Sequence, residues 1–213
     1  MSSMNLVALT LGPRSGKIKW DSTWNLVAWL LNPRESHELA HTVLAGLTNQ
    51  VFGQALEDCE IWPELPIGLD ENGKSKWPDL TLFFPTRNNP THIIVMDDVD
   101  VRSPGSSRKL TNLREYGRIA KKEYPGVSIR VVAVTNATSS DKINRVRAVL
   151  KKSLGDNSSE NLDAVPWHLV PLCTIGEWAK SAQSSNLPQS KFSAFVNDVI
   201  EWTGALEGEE HKT

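Results

Sequence analysis

A run of acidic residues directly after an apolar strand constrains this chain more than any other feature. The apolar stretch 93–96 (IIVM) is followed at once by 97–100 (DDVD). Apolar residues without alternation predict a central strand that is buried on both faces. Carboxylates at the end of such a strand lose hydration and repel one another, and a hard divalent cation would offset both effects. The segment therefore predicts a metal-binding edge of a sheet.

A second acidic position lies close by in the sequence. Asp79 follows Pro78 and opens the apolar stretch 80–84 (LTLFF). If this strand and the strand over 92–101 form a hairpin, Asp79 faces the acids of the second strand. Residues i and i+2 of a strand share a face, so we expect Asp98 and Asp100 to point one way and Asp97 the other.

The remaining patterns predict an α/β protein. The short turns make the first strands an antiparallel meander, and the strand after the long helix joins as a parallel crossover. The result is a mixed central sheet with an αβββαβ core flanked by helices, followed by C-terminal helices. The predicted helices cover 21–31, 36–52, 108–124, 140–154, 174–182 and 188–203, and the predicted strands cover 6–11, 60–67, 79–84, 92–101, 127–134 and 167–172. Asn72-Gly73 marks the tip of a hairpin turn over 69–76.

Composition places the chain among ordinary globular proteins. We expect one domain over 1–213, with a core over about 20–135, additions over 136–205 and a frayed tail over 206–213. A net charge of −2 excludes a histone-like chain, and two distant cysteines exclude zinc ribbons and disulfide frameworks. No stretch has the length of a membrane span or the pattern of a signal peptide, so we expect no membrane partner and a cytoplasmic location. Five of the eight tryptophans lie in the first third of the chain, and we expect most tryptophans to be core residues.

The order of these elements and motifs resembles the PD-(D/E)XK nuclease superfamily over about residues 21–135. Pro78-Asp79 resembles the first acidic motif, and Asp98-Val99-Asp100 resembles the (D/E)-x-K element. The stretch 112–116 (NLREY) is similar to a Gln-x-x-x-Tyr helix, and 28–47 is similar to the helical opening of some members.

The resemblance implies a restriction-endonuclease-like fold and hydrolysis of DNA phosphodiester bonds with Mg²⁺ or Mn²⁺. It implies that Asp79 and Asp98 bind the metal and that Asp100 and Glu64 complete the catalytic site, with Asp21 as a further acidic candidate. A defence or restriction context is common for such folds, and a homodimer or a partner subunit is compatible with them.

The sequence departs from the family where a lysine is expected. That position is Asp100, or Val99 if the register moves by one residue and Asp97 is the acid of the motif, and neither is basic. Lys76 and Lys109 are the candidates for a relocated basic group. The alternative is a catalytically silent member that retains the fold as a binding or assembly module.

Basic residues crowd the two predicted helices over 108–124 and 140–154. Arg108, Arg114 and Arg118 are candidates for nucleic-acid contacts, because phosphates dominate the affinity for nucleic acids. The alternative is an ordinary solvated helix face.

A third interpretation is a zinc metallopeptidase. His37, Glu38 and His41 match H-E-x-x-H, in which two histidines on one helix face bind zinc and the glutamate acts as a base. No third histidine follows in 42–52. On a helical wheel the two histidines lie roughly 80° and 120° from the centre of the apolar face, which favours two surface histidines near a helix start.

Overall fold

The computed structural model describes residues 20–34, 39–99, 107–155 and 165–186, without the side chains of 20–23, 107–109 and 183–186. The strand predicted over 6–11, the helix predicted over 188–203 and the tail lie outside the described residues. Five helices and seven strands are described. They are α1 (Trp20–Leu31), α2 (Ala40–Phe52), β1 (Glu60–Pro63), β2 (Gly68–Leu69), β3 (Ser75–Lys76), β4 (Leu80–Phe84), β5 (His92–Asp98), α3 (Ser107–Glu123), β6 (Ser128–Thr135), α4 (Ser140–Leu154), β7 (Trp167–Pro171) and α5 (Leu172–Asn186).

The chain divides into two compact units. A helical unit comprises 1–57 and 173–213, and a sheet unit comprises Asp58–Leu172. The first unit contains α1, α2 and nearly all of α5, and the second contains every described strand with α3 and α4. The single domain expected from composition stays a prediction, because two compact units can belong to one domain.

The helical unit is built on the apolar face of α2. Val43, Leu44, Leu47 and Val51 are buried at helical spacing. Gly46 lies against the ring of Trp178, so closely that a Cβ on this glycine would stand 2.6 Å from a ring carbon.

The sheet unit contains a five-stranded mixed sheet in the order β1-β4-β5-β6-β7. The pairs β1–β4 and β4–β5 are antiparallel, whereas β5–β6 and β6–β7 are parallel. All five residues of β4 are buried, as are the last six of β5. The apolar stretch 93–96 accounts for the central position of β5. The general α/β class with a mixed sheet is therefore confirmed. The segment expected as an addition beyond residue 135 supplies β7 and α4.

Helix α3 covers one face of this sheet. Its Tyr116 and Ile119 are buried in one cluster with Phe83, Ile93 and Val95. Near its start, Leu110 and Leu113 are buried in a second cluster with Val99, which also includes Val146 and Leu150 of α4. The first half of α3 therefore lies at the acidic end of β5.

The strand predicted over 60–67 is shorter in the structure. It ends at Pro63, which has no N–H to donate, and Glu64 has a positive φ of 46°. The Asn72-Gly73 turn lies between β2 and β3, which form a separate two-stranded hairpin. This hairpin is inserted between β1 and β4, so the β1–β4 pair is not closed by the turn itself.

Within the described residues, no helix combines the length and the apolar character that crossing a membrane requires.

Candidate metal centre

Three carboxylates meet where β4 begins and β5 ends. One oxygen each of Asp79, Asp97 and Asp98 can be chosen so that all three lie within 4.8 Å of one another. Asp97 and Asp98 are only 2% and 5% exposed, and Asp79 is partly buried. Among the described residues, these three are the acidic, histidine or cysteine side chains that lie close enough together to hold a metal ion.

A single backbone amide joins the three residues. The N–H of Asp98 donates to Oδ1 of Asp97 over 2.8 Å and to Oδ2 of Asp79 over 3.2 Å. Hydrogen bonds from backbone N–H groups to ionised carboxylates are stronger than those between neutral groups. The amide therefore holds two carboxylates side by side at the end of the hairpin.

The strand register explains why Asp79 meets Asp97. Leu80 pairs with Met96 in the antiparallel β4–β5 ladder, so one step further along Asp79 lies opposite Asp97. Directly opposite residues share a face. The sequence pattern favours Asp79 and Asp98 as ligands and offers Asp97 as the acid only if the motif register moves by one residue. The β4–β5 register adds that Asp97 is the residue opposite Asp79.

The donor set fits a hard divalent cation. Mg²⁺ and Mn²⁺ prefer carboxylate oxygens, and Mg²⁺ commonly uses one or two protein carboxylates together with phosphate and water. Asp79, Asp97 and Asp98, which each place one oxygen within 4.8 Å of the other two, are the residues that would hold such an ion.

Two adjacent residues of α3 hold the segment that leads to Asp79. The hydroxyl of Tyr116 donates to the carbonyl oxygen of Trp77 over 2.9 Å. Oε2 of Glu115 lies 2.7 Å from Nζ of Lys76. The helix that covers the sheet therefore also fixes the chain two and three residues before the first carboxylate.

Lys76 is held by two acidic partners. Besides Glu115, Oδ2 of Asp70 lies 3.4 Å from its Nζ. The hydrogen bond to Glu115 is the main cause that raises the pKa of Lys76 above its usual value of 10.5. Lys76 is therefore a protonated ion-pair partner at neutral pH, and its assignment as a relocated basic group of the site stays a prediction.

The other predicted site residues differ in what the structure shows of them. Glu64 is exposed, and although its N–H donates to the backbone oxygen of Asp79 over 3.2 Å, its carboxylate is not in the group of three. Asp100 lies outside the described residues. Lys109 and Arg108 lie on α3 and Asp21 lies on α1, but their side chains are not described.

Two of the three arginines proposed for nucleic-acid contacts are visible on α3. Arg114 is exposed, and it lies in the half of the helix that packs near Val99. Nη1 of Arg118 lies 2.8 Å from Glu71, and both side chains are substantially exposed. Nη2 of Arg118 also lies 4.0 Å from Oε1 of Glu115, and exposed pairs of this kind contribute little to stability. Contact of Arg118 with a nucleic acid stays a prediction.

The H-E-x-x-H motif is only partly described. His37 and Glu38 lie outside the described residues, and His41 is exposed on α2. Zinc binding by this motif stays a prediction.

Two of the five early tryptophans are not core residues. Trp24 is buried, but Trp62 and Trp77 are 40% and 55% exposed. Trp62 lies on the edge strand β1, and Trp77 precedes Pro78 at the start of the β4 segment. Tryptophan content alone does not reveal which rings an edge strand or a strand entry leaves in solvent.

No protein-family model matches this chain, no curated protein is detectably similar to it, and no solved structure matches its fold.

Proposed function

We propose that this protein is a divalent-metal-dependent nuclease of the PD-(D/E)XK type that hydrolyses phosphodiester bonds of DNA. The observation that supports the proposal most is the group formed by Asp79, Asp97 and Asp98 at the junction of β4 and β5. Support also comes from the order of elements, in which an antiparallel hairpin is followed by a helix and a parallel strand.

In this proposal the three carboxylates hold Mg²⁺ or Mn²⁺ against a phosphate of the substrate. A bound ion of this kind supplies a water of lowered pKa and neutralises charge on the phosphate oxygens. The chain itself contributes the negative pocket and the amide of Asp98 that aligns two carboxylates. Arg114 and Arg118 would attract the DNA backbone from α3.

The experiment is a cleavage assay on labelled DNA with Mg²⁺, with Mn²⁺ and with EDTA. Cleavage is expected with either metal and is expected to stop in EDTA. Asp79→Asn is expected to abolish cleavage while leaving the circular dichroism spectrum unchanged, whereas Asp141→Asn, at an exposed position of α4, is expected to retain it. Undiminished cleavage by Asp79→Asn would overturn the assignment.

A second candidate function is a silent binding module on the same fold. Two observations favour it: the residue two positions after Asp98 is an aspartate where the family has a lysine, and Lys76 is bound to Glu115 and Asp70. Metal and DNA binding without cleavage in either metal would identify this function.

A further inference from the structure

Three large apolar side chains of the described residues are markedly exposed, and two of them are indoles close to the acidic group. They are Trp62, Trp77 and Leu69, at 40%, 55% and 53% exposure. Exposed aromatic rings that cluster on one region of a surface commonly mark a binding site. Their position relative to Asp79 indicates what they bind.

Trp62 lies on the same face of the sheet as Asp79 and Asp97. It pairs with Thr81 in the β1–β4 ladder, and the ladder continues to the bond from the N–H of Glu64 to the oxygen of Asp79. Asp79 is two residues from Thr81, so Trp62 and Asp79 are diagonal neighbours. Such neighbours have Cα atoms roughly 7–8 Å apart, within reach of an aromatic side chain.

Trp77 is also exposed, and it lies before Asp79 in the chain, whereas the partner of Trp62, Thr81, lies after it. It precedes Asp79 by two residues, and its carbonyl oxygen accepts the hydrogen bond from Tyr116. The backbone that carries this indole is therefore fixed by α3 while the ring itself is largely in solvent. Ordering such a ring against a ligand costs little conformational entropy, because only two side-chain torsions are free.

A cation accompanies the first indole. The guanidinium carbon of Arg87 lies 5.5 Å from the centre of the Trp62 ring, and the backbone N–H of Arg87 donates to Oε2 of Glu60 over 2.9 Å. Guanidinium groups bind phosphate oxygens and stack on flat rings. Two flat rings on either side of Asp79 and an arginine over one of them match the alternating bases and phosphates of a nucleic-acid strand.

We propose that Trp62 and Trp77 stack on unpaired bases, so that the substrate bound at the acidic group is single-stranded DNA. This inference rests on the proposed function for the position of the scissile phosphate. In a duplex the bases are stacked on one another and their faces are covered, whereas an unpaired strand offers the face of every base to an indole. Arg87 then contacts a phosphate of the same strand.

The test measures binding in EDTA, where no metal-dependent cleavage occurs. Fluorescence anisotropy of labelled 20-nucleotide oligo(dT), oligo(U) and a 20-base-pair duplex gives the three affinities at low salt. Trp62→Ala and Trp77→Ala are each expected to weaken oligo(dT) binding by about 5- to 100-fold, the usual range for removing one stacking ring. Trp62→Phe and Trp77→Phe, which keep a flat ring, are expected to lose much less.

Leu69→Ala is the matched control, since Leu69 is as exposed as the indoles and lies on β2 of the same unit. It is expected to bind oligo(dT) like the unchanged protein. The proposal is overturned if the tryptophan variants bind oligo(dT) as the Leu69 variant does, or if the duplex binds more tightly than oligo(dT). A change in sedimentation with unchanged oligonucleotide binding would also overturn it, because the indoles would then contact a second copy of the chain. Tighter binding of oligo(U) than of oligo(dT), with the same tryptophan dependence, would overturn the choice of DNA.

The design separates this inference from the proposed nuclease. If oligo(dT) binding depends on the tryptophans but no cleavage occurs in Mg²⁺ or Mn²⁺, base stacking is supported and the proposed nuclease activity is contradicted. If the tryptophan variants cleave single-stranded DNA with metal as fast as the Leu69 variant does, the nuclease activity is supported and base stacking is contradicted.

Discussion

The hydroxyl of Tyr116 donates a hydrogen bond to the carbonyl oxygen of Trp77, and this bond ties helix α3 to the chain two residues before Asp79. A buried tyrosine thereby fixes the backbone that leads to Asp79. A one-turn displacement of the helix would move the start of β4 and with it one side of the acidic group.

Removing that hydroxyl is expected to loosen the acidic group. Tyr116→Phe leaves the ring in its cluster but leaves the Trp77 carbonyl without this donor, which costs about 1 kcal/mol of unfolding free energy. We expect Mn²⁺ affinity, measured by isothermal titration calorimetry, to fall about tenfold, as for other residues that orient metal ligands. Tyr124→Phe is the control, since this tyrosine contacts Phe83 through its ring. Equal Mn²⁺ affinities of the two variants would show that Tyr116 only stabilises the fold.

Asp97→Asn is expected to weaken metal binding without lowering the free energy of unfolding. Loss of one of three carboxylate ligands should weaken Mn²⁺ binding at least tenfold. In EDTA, urea denaturation should show an unfolding free energy close to that of the unchanged protein, because the amide oxygen of asparagine can still accept the hydrogen bond from the N–H of Asp98. A variant that loses stability in EDTA and binds Mn²⁺ normally would contradict a ligand role for Asp97.

The ion pair between Lys76 and Glu115 is expected to contribute modestly to the free energy of unfolding. Both side chains are about a fifth to a quarter exposed, so solvent screens the pair. A double-mutant cycle with Lys76→Met and Glu115→Gln should give a coupling of about 0.5–1 kcal/mol in urea denaturation.

The pH dependence of that coupling has a defined sign. Because Glu115 raises the pKa of Lys76 in the folded protein, the coupling is fully present below the ordinary pKa of 10.5. It is lost as pH rises through the higher pKa of the folded state. A coupling that disappears at neutral pH would contradict the ion pair.

Mild acid is expected to destabilise the sheet through His168. Burial in β7, with a smaller contribution from the charge of Arg130, lowers the pKa of His168 below its ordinary value of 6.5. The unfolded chain therefore binds a proton more readily, so the unfolding free energy falls as pH decreases from about 6.5 through the lower pKa of the folded state.

His168→Gln should reduce this loss of stability in urea titrations between pH 7 and pH 5. Some loss should remain, since burial also lowers the pKa of His92 on β5. His41→Gln, at an exposed position of α2, is the control. An identical pH profile for the His168 variant would contradict the prediction.

Gly46→Ala is expected to destabilise the helical unit although alanine favours helices. The added methyl group would stand 2.6 Å from a ring carbon of Trp178, and an indole cannot move aside as a flexible chain would. Overpacking of this kind costs about 1–3 kcal/mol, more than the roughly 1 kcal/mol gained from helix propensity. Gly46→Ala combined with Trp178→Leu should recover part of the loss. Unchanged urea midpoints for Gly46→Ala would contradict the close packing.

Local patterns predicted the elements well where one physical signal dominated. Ser140–Leu154 has the predicted bounds, because its helical spacing begins after Ser139 and ends before Gly155. The continuous apolar stretch 93–96 likewise identified β5 as a buried strand. The insertion of the β2–β3 hairpin between β1 and β4 was not predicted, since the Asn72-Gly73 signal fixes a turn but not which strands it joins.

The position of the candidate site was predictable from the sequence, but the pairing of its aspartates was not. Pairing of two apolar strands was enough to bring Asp79 near the acids of β5. Alternation along β5 places Asp97 and Asp98 on opposite faces, but it does not show which of them is opposite Asp79. Only the register with β4 shows that this residue is Asp97, and the carboxylates of both still meet at the strand end. The exposure of Trp62 follows from the strand order, which sequence patterns do not contain.

Among the described strands, β1 forms one edge of the sheet, and this position has a consequence for how the protein behaves at high concentration. An unpaired strand edge is a template on which another chain can aggregate, and natural sheets guard against this with proline and charge. Here the strand has four residues, Pro63 ends it, and the guanidinium of Arg87 lies over the exposed ring of Trp62. The sheet is thus guarded against growing into fibrillar assemblies along the side that presents this indole to solvent.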